Sequence, residues 1–174
     1  TGKVTGVSEG TVSITLTNAA SGKSDVCTVT VTQASETEAF VVNVKNGVNV
    51  RSGAGTSYAK VTVAPKAMFV TVTGQQRDAA GDIWFAVTLQ DGKSAPVKGY
   101  IHEDYLELTQ ELGMVKVVNC NKNINVRSGP GTNYGKVGTA DKDSQWAMYA
   151  GDTKSGWTMV KYRQSNGYFA RFMS

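Results

Sequence analysis

Histidine occurs once in these 174 residues, as His102, and cysteine twice, as Cys27 and Cys120. With so few, a Cys–His nucleophile pair would have to join His102 to one of those two thiols, and no cluster has zinc-ligand spacing. Neither cysteine suggests such a role. Cys27 alternates with Val29 and Val31 on one face of its run, and Cys120 stands where a repeated segment has Val44. Both read as small buried hydrophobes of strands. Two cysteines do not report a redox compartment. Acidic side chains are scattered singly across turns, so no acid/base pair is apparent, and no metal or cofactor is expected. A run of about 18 apolar residues is also missing, so no membrane span is expected. The first residues, TGKVTGVSEG, lack the apolar core of a signal peptide, as expected if none is needed or if the chain is a piece of something larger. Long stretches of helical periodicity are absent too.

What remains is a chain rich in Thr, Val, Gly and Ser, 40% hydrophobic and 18% charged, the composition of a globular, mostly β protein. The formal charge of +4 is unevenly placed: −2 over residues 1–38, zero over 39–111 and +6 over 112–174. A basic last third favours anionic partners, or is simply a solvated face.

One stretch organises the rest. VNVRSGAGTSYAKV at 48–61 returns as INVRSGPGTNYGKV at 124–137, displaced by 76 positions and identical at ten of fourteen. Such a repeat implies two copies of one small domain. Trp84 and Val87 then align with Trp157 and Val160, and Gly99-Tyr100 with Gly167-Tyr168. On that alignment the first copy carries five more residues between its tryptophan and tyrosine, as a surface-loop insertion would.

Read in order, Val12, Ile14 and Leu16 alternate with Ser13, Thr15 and Thr17, the pattern of a half-buried strand. A turn at AASGK and a second strand over 25–31 make a hairpin of residues 1–33. ASETEA at 34–39 reads as a linker. The first copy spans 40–108, with a tight turn at Asn46-Gly47 and strands over 68–73 and 83–89. TQELG at 109–113 is a connector, and the second copy spans 114–174.

With N-V-R-S-G-x-G-T-x-Y, then W-x-x-V, then G-Y-[IF], both copies resemble bacterial SH3 (SH3b) domains. The opening G-K-V-T-G-V-S-E-G-T with Ile14, Thr15 and the strand Cys27 to Val31 resembles the C-terminal half of a group 2 bacterial immunoglobulin-like domain. Together they imply an all-β chain, two small SH3-like β-barrels in tandem after a partial immunoglobulin-like hairpin. They also imply a bacterial extracellular, cell-wall or surface location. The expected role is non-catalytic: binding of peptidoglycan or another wall polymer, by what could be the binding part of a larger peptidoglycan hydrolase. The runner-up is a structural or protein-interaction stalk spacing another domain from the surface. Nucleic-acid binding by the basic copy is the weaker reading. Contact through the incomplete immunoglobulin-like segment is open, as is the oligomeric state.

Aromatic faces with a few donors suit a sugar–peptide ligand. The candidate ligand residues are Tyr58, Trp84 and Tyr100 in the first copy and Tyr134, Trp157 and Tyr168 in the second. For the tryptophans, Tyr100 and Tyr168, barrel core and binding groove are equally open, whereas Tyr58 and Tyr134, among turn residues, are expected at the surface. Arg51 and Arg127 stand at matching places, either to clamp an anion or to pin the glycine-rich loop to its own carbonyls. His102 is expected at the surface near a barrel end. The unequal charge suggests a division of labour, the second copy facing anionic polymer and the first acting as partner or spacer.

Overall fold

Alternation of β-branched and polar residues, broken by Gly, Asn and Asp turns, gives fifteen strands and one short 3-10 helix in the computed structural model, which describes residues 10–31, 36–92, 95–151, 154 and 156–174. The chain divides into two units, residues 1–35 and 36–174.

In the first unit, β1 (Gly10–Thr17) pairs antiparallel with β2 (Ser24–Val31), Ile14 opposite Cys27. The turn is held by Asn18, whose Oδ1 accepts from the amides of Ala20 and Ser21. The hairpin matches the sequence expectation, but its burial does not. Val12 and Leu16 are 53% and 69% exposed, and Cys27 is exposed rather than a core residue. Among the described residues this sheet has two strands and one layer, and one layer cannot bury a face. The opening residues of the immunoglobulin-like pattern, up to position 9, lie outside the described residues.

The second unit holds two sheets. The first contains β3 (Thr37–Val41), β4 (Gly47–Arg51), β5 (Lys60–Pro65), β6 (Phe69–Arg77), β7 (Ile83–Leu89), β8 (Val97–His102) and β9 (Leu106–Thr109), in the order β5-β4-β8-β7-β6-β3-β9. The second contains β10 (Glu111–Lys116), β11 (Asn123–Arg127), β12 (Lys136–Asp141), β13 (Gln145–Tyr149), β14 (Thr158–Gln164) and β15 (Gly167–Met173), in the order β10-β13-β14-β15-β11-β12. Matching β3–β8 to β10–β15 makes the two orders identical, except that among the described residues no strand of the second sheet corresponds to β9. Fine geometry repeats as well. Ala67 and Asp143 have φ of 65° and 66°, Asn43 and Asn119 both 55°. The amides of Val41 and Val117 donate to the carbonyls of Met68 and Ser144, each at 3.0 Å.

Each sheet closes around a core supplied by inward side chains of its strands, and the first core also takes in Phe169 of β15. Val41, Val50, Ala64, Val87 and Ile101 fill the first. Val117, Val126, Ala140, Val160 and Met173 fill the second at the matching places. A third cluster, Phe40, Phe69, Tyr149, Met159 and Ala170, lies between the sheets. There the Phe69 ring meets Tyr149 edge-on at 4.9 Å, and the Ala170 amide donates to the Ala67 carbonyl at 2.8 Å. Lys161 Nζ sits 2.7 Å from Glu38 Oε2, 5.3 Å from the ring centres of Phe69 and Tyr168 and 5.9 Å from that of Tyr149.

Three local expectations change. Residues 37–39, read as linker, belong to β3, whose Ala39 and Phe40 are buried. The 109–113 connector is the end of β9 and the start of β10, broken only at Gln110. Asn46-Gly47 does not close a hairpin, because β3 and β4 never pair. Gly47 is needed instead because a Cβ there would lie 2.7 Å from the Ala64 carbonyl oxygen.

Candidate functional site

The repeated glycine-rich loop is built the same way twice. Arg51 Nη1 donates to the Tyr58 carbonyl and Arg127 Nη1 to the Tyr134 carbonyl, each at 2.8 Å. Each loop is closed by an amide at its entrance, Ser52 to Ala59 O at 2.9 Å and Ser128 to Gly135 O at 3.0 Å. The tyrosine rings lie on the glycines: a Cβ at Gly53 would come within 2.5 Å of the Tyr58 ring, and one at Gly129 within 2.3 Å of the Tyr134 ring. That is the physical reason for S-G-x-G-T-x-Y. Glycine admits the ring, the ring covers the backbone, and arginine ties the far end. Tyr58 and Tyr134 remain 47% and 39% exposed, one side spent on the loop and the other turned to solvent.

The other four aromatics do not form a matched set. Trp84 is buried, its Nε1 donating to Asp78 Oδ2 at 3.0 Å. Burial works to raise the Asp78 carboxyl, but the indole and the backbone amides of Asp82, Ala80 and Gly81 outweigh it and hold its pKa below the usual value. Trp157 is half-buried. Tyr100 is half-buried opposite Arg51 across β4 and β8, and the residue opposite Arg127 is Phe172. Pairing therefore makes Phe172, not Tyr168, the counterpart of Tyr100, because Val87 faces Gly99 as Val160 faces Arg171. The Gly167-Tyr168 alignment is thus shifted, and with it goes the five-residue insertion. Tyr168 sits beside the two-residue turn of the β14–β15 hairpin, its hydroxyl 3.2 Å from Arg163 Nη1 and its ring beside Lys161 in the contact between sheets.

What the first sheet does assemble is a cleft of about 280 Å³, with Trp84, His102 and Tyr105 on one side and Asn49, Arg51 and Thr56 on the other. Asn49 and Arg51 come to it from β4, whose Val48 also lines it. His102 caps the short helix Glu103–Tyr105, its Nδ1 accepting from the Asp104 amide at 3.3 Å. That bond places the neutral ring's proton on Nε2, which lies 3.9 Å from Asp82 Oδ2. The imidazole meets the Trp84 ring edge-on at 5.3 Å and is half-buried rather than a plain surface residue. Tyr105, 37% exposed, was not singled out from the sequence, since H-E-D-Y has no echo in the second copy. The cleft offers an amide, an imidazole, two hydroxyls and aromatic edges, a set suited to the polar edges and apolar faces of a peptide or amino sugar.

The second sheet puts its aromatics elsewhere. Trp146 and Tyr162 stack at 5.4 Å and 12°, where the first sheet has Val70 and Leu89. Its charge is also partly spent inside. Lys161 is held by Glu38 and three rings, and Arg171 is buried with its Nε unpartnered among the described residues. Between the sheets another cleft, of about 670 Å³, is lined by Glu36, Glu38, Glu111 and Tyr149. Burial, with Glu38 and Glu111 close by, pushes the Tyr149 hydroxyl up to about 12. A raised folded-state value means the unfolded chain ionises first, so stability falls as pH climbs from about 10 through 12. Tyr149→Phe is expected to flatten that decline relative to wild type, with little difference below pH 9, in thermal midpoints measured across the alkaline range. Parallel curves would show that the hydroxyl is not held in this field.

Comparison with known proteins agrees with the first sheet's architecture: residues 46–107 match the family profile of the bacterial SH3 domain. The nearly all-β chain is consistent with SH3-like barrels. A protein named "Putative N-acetylmuramoyl-L-alanine amidase YrvJ", from Bacillus subtilis (strain 168), is 27% identical over 122 residues, which is 69% of this chain and 22% of that protein. The chain thus spans about a fifth of the relative's length. A solved structure of NlpC2 from Trichomonas vaginalis covers 82% of this chain and 47% of its own at 15% identity and a TM-score of 0.32, too low to carry an argument.

Proposed function

We propose that this chain is a non-catalytic cell-wall-binding module with two SH3b domains in tandem, and that the cleft of the first holds a peptide or amino-sugar portion of peptidoglycan. The observation that carries the reading is that the segment matching the bacterial SH3 family supplies every lining residue of that cleft but Val44. The relative named as an N-acetylmuramoyl-L-alanine amidase supports a wall setting, and the small share of it that matches fits an accessory module rather than the hydrolase itself. On this reading the protein works outside the bacterial cell, at the wall or surface. His102 serves the cleft as a helix cap and a ring against Trp84, not as a catalytic base. The repeated loops and strand order support a second SH3b domain over the last third, whose exposed lysines would add attraction to anionic polymer.

Purified peptidoglycan sacculi, with and without teichoic acid, test the proposal across a salt series. The expected result is binding that persists at high salt and weakens tenfold or more in Asn49→Ala/Tyr105→Ala, two side chains exposed enough to leave the thermal midpoint unchanged. Loss of binding with salt or with teichoic acid removal would transfer the work to charge. Absence of binding in every condition would overturn the wall reading and leave a spacer between other domains.

A further inference from the structure

The zero net charge of the first half is unevenly spread. Residues 39–77 carry five basic side chains and no acid, so every acid that cancels them in that half lies from Asp78 onward. Residues 112–140 are free of acids as well. These two stretches supply the hairpins β4–β5 and β11–β12, and β5 and β12 are each an outermost strand of their sheet. A lysine opens each outermost strand and another follows its end: Lys60 and Lys66 on β5, Lys136 and Lys142 on β12. At the far end a third lysine joins them. The Lys66 amide donates at 2.8 Å to the carbonyl of Asn46, next to Lys45, and the Lys142 amide at 2.7 Å to that of Lys122. At the near end Arg51 faces Lys60 and Arg127 faces Lys136. All six lysines are exposed, and among the described residues none belongs to an ion pair, whereas Lys116 and Lys161 do.

We propose that these two basic edges are docking surfaces for a linear phosphodiester polymer, laid along the outermost strand of each half. Size decides for a polymer over a small anion. The two ends of an edge stand about 20 Å apart at about 3.3 Å per residue, more than twice the Debye length of about 8 Å at physiological salt. A single phosphate therefore meets one end only. An extended polyanion reaches both, and its second contact is intramolecular. Between the lysines stand Val61, Thr62 and Val63 in one half and Val137, Gly138 and Thr139 in the other. No ring among them can stack a base, which favours a polyol phosphate over single-stranded nucleic acid. Guarding an edge against strand pairing calls for charge as such; an unbroken positive sign in both halves selects an anion. Taking the polymer as wall material rests on the function proposed above, but none of the six lysines lines the cleft. Exposed Asp141 offsets part of the second edge. The first edge, in the half of zero net charge, should therefore bind at least as strongly, the reverse of what summed charge suggests.

Soluble poly(glycerol phosphate) is the probe, titrated into the full chain with affinity followed from about 50 to 200 mM salt. The expected result is binding at the lower salt at least tenfold tighter than that of glycerol phosphate, weakening steeply as salt rises. Lys60→Gln/Lys66→Gln should lose at least fivefold, no less than Lys136→Gln/Lys142→Gln loses. Lys98→Gln/Lys154→Gln, the same charge change away from both edges, should lose less than twofold. Thermal midpoints check that each variant folds, and the polymer-to-monomer ratio of the unaltered chain decides if one does not. Equal losses in all three variants overturn the proposal, since net charge alone would then act. So does no loss in the first-edge variant, polymer and monomer binding alike, or no binding at about 50 mM salt. Single-stranded DNA of matched charge binding more tightly than the polymer also overturns it, making nucleic acid the occupant. The probe holds neither peptide nor amino sugar, so a cleft that fails to bind peptidoglycan leaves this measurement intact.

Discussion

Replacing Phe69 by alanine is expected to cost the 36–174 unit about 3–5 kcal/mol, the usual price of emptying a buried phenylalanine site. Phe69 is 4% exposed, yet it points away from its own sheet's core, into the contact with Tyr149, Met159 and Ala170. Its loss therefore acts on the coupling between the halves more than on either one. Wild type should unfold in urea in one transition. Phe69→Ala should show two, the tryptophan signals of the two halves separating. A single transition at reduced midpoint would mean that the halves remain coupled through their other contacts, among them Lys161 with Glu38, Phe169 in the first core and the Ala170–Ala67 hydrogen bond. The prediction bears on function, because a pair that moves as one body presents its surfaces at a set spacing. Two tethered barrels would gain avidity through linker length instead.

The second large effect is a contrast between matched core positions. Ile101 is fully buried under the strap formed by Leu106, and Ile101→Ala is expected to cost about 3–5 kcal/mol, near the top of the range for aliphatic truncations. Met173 holds the corresponding place but lines the open cleft beside β10. Truncation there enlarges a space already open to water, so the cost should fall to about 2 kcal/mol, the low end of the same range. Chemical denaturation of the two variants checks it. Equal costs would mean that the cleft is as closed as the core.

Much of this protein can be read from the order of its residues, for local reasons. The glycine-rich loops close on themselves through Arg51 and Arg127 and through the rings of Tyr58 and Tyr134, all within a dozen positions of one another. Loop pinning was one of two roles open to the arginines, and both make the loop bond. Period-two alternation marks most strands, because a pleated strand must turn alternate side chains to opposite faces. The candidate site was less legible. His102 enters the cleft because β8 pairs it with Trp84, and Tyr105 because a short helix follows directly. Gly167-Tyr168 imitates Gly99-Tyr100 in letters, but strand register, set by pairing with β14 rather than by a dipeptide, places it near a hairpin turn.

By itself the sequence determined the all-β character, the duplication, the loop chemistry and the inward valines shared by both cores. Each depends on contacts a few residues apart or on a pattern repeated 76 positions later. Tertiary structure decided which outward faces are covered. Phe40 and Phe69 are buried where the matching Lys116 and Gln145 are exposed, and Ala170 is buried where the matching Lys98 is exposed. An outward phenylalanine on an isolated strand has no signature of its own. It becomes core only when another layer arrives, and one apolar layer covers another only when both are in place. For the same reason Cys27, read as buried, and Leu16, read as half-buried, stand exposed on a single-layer hairpin.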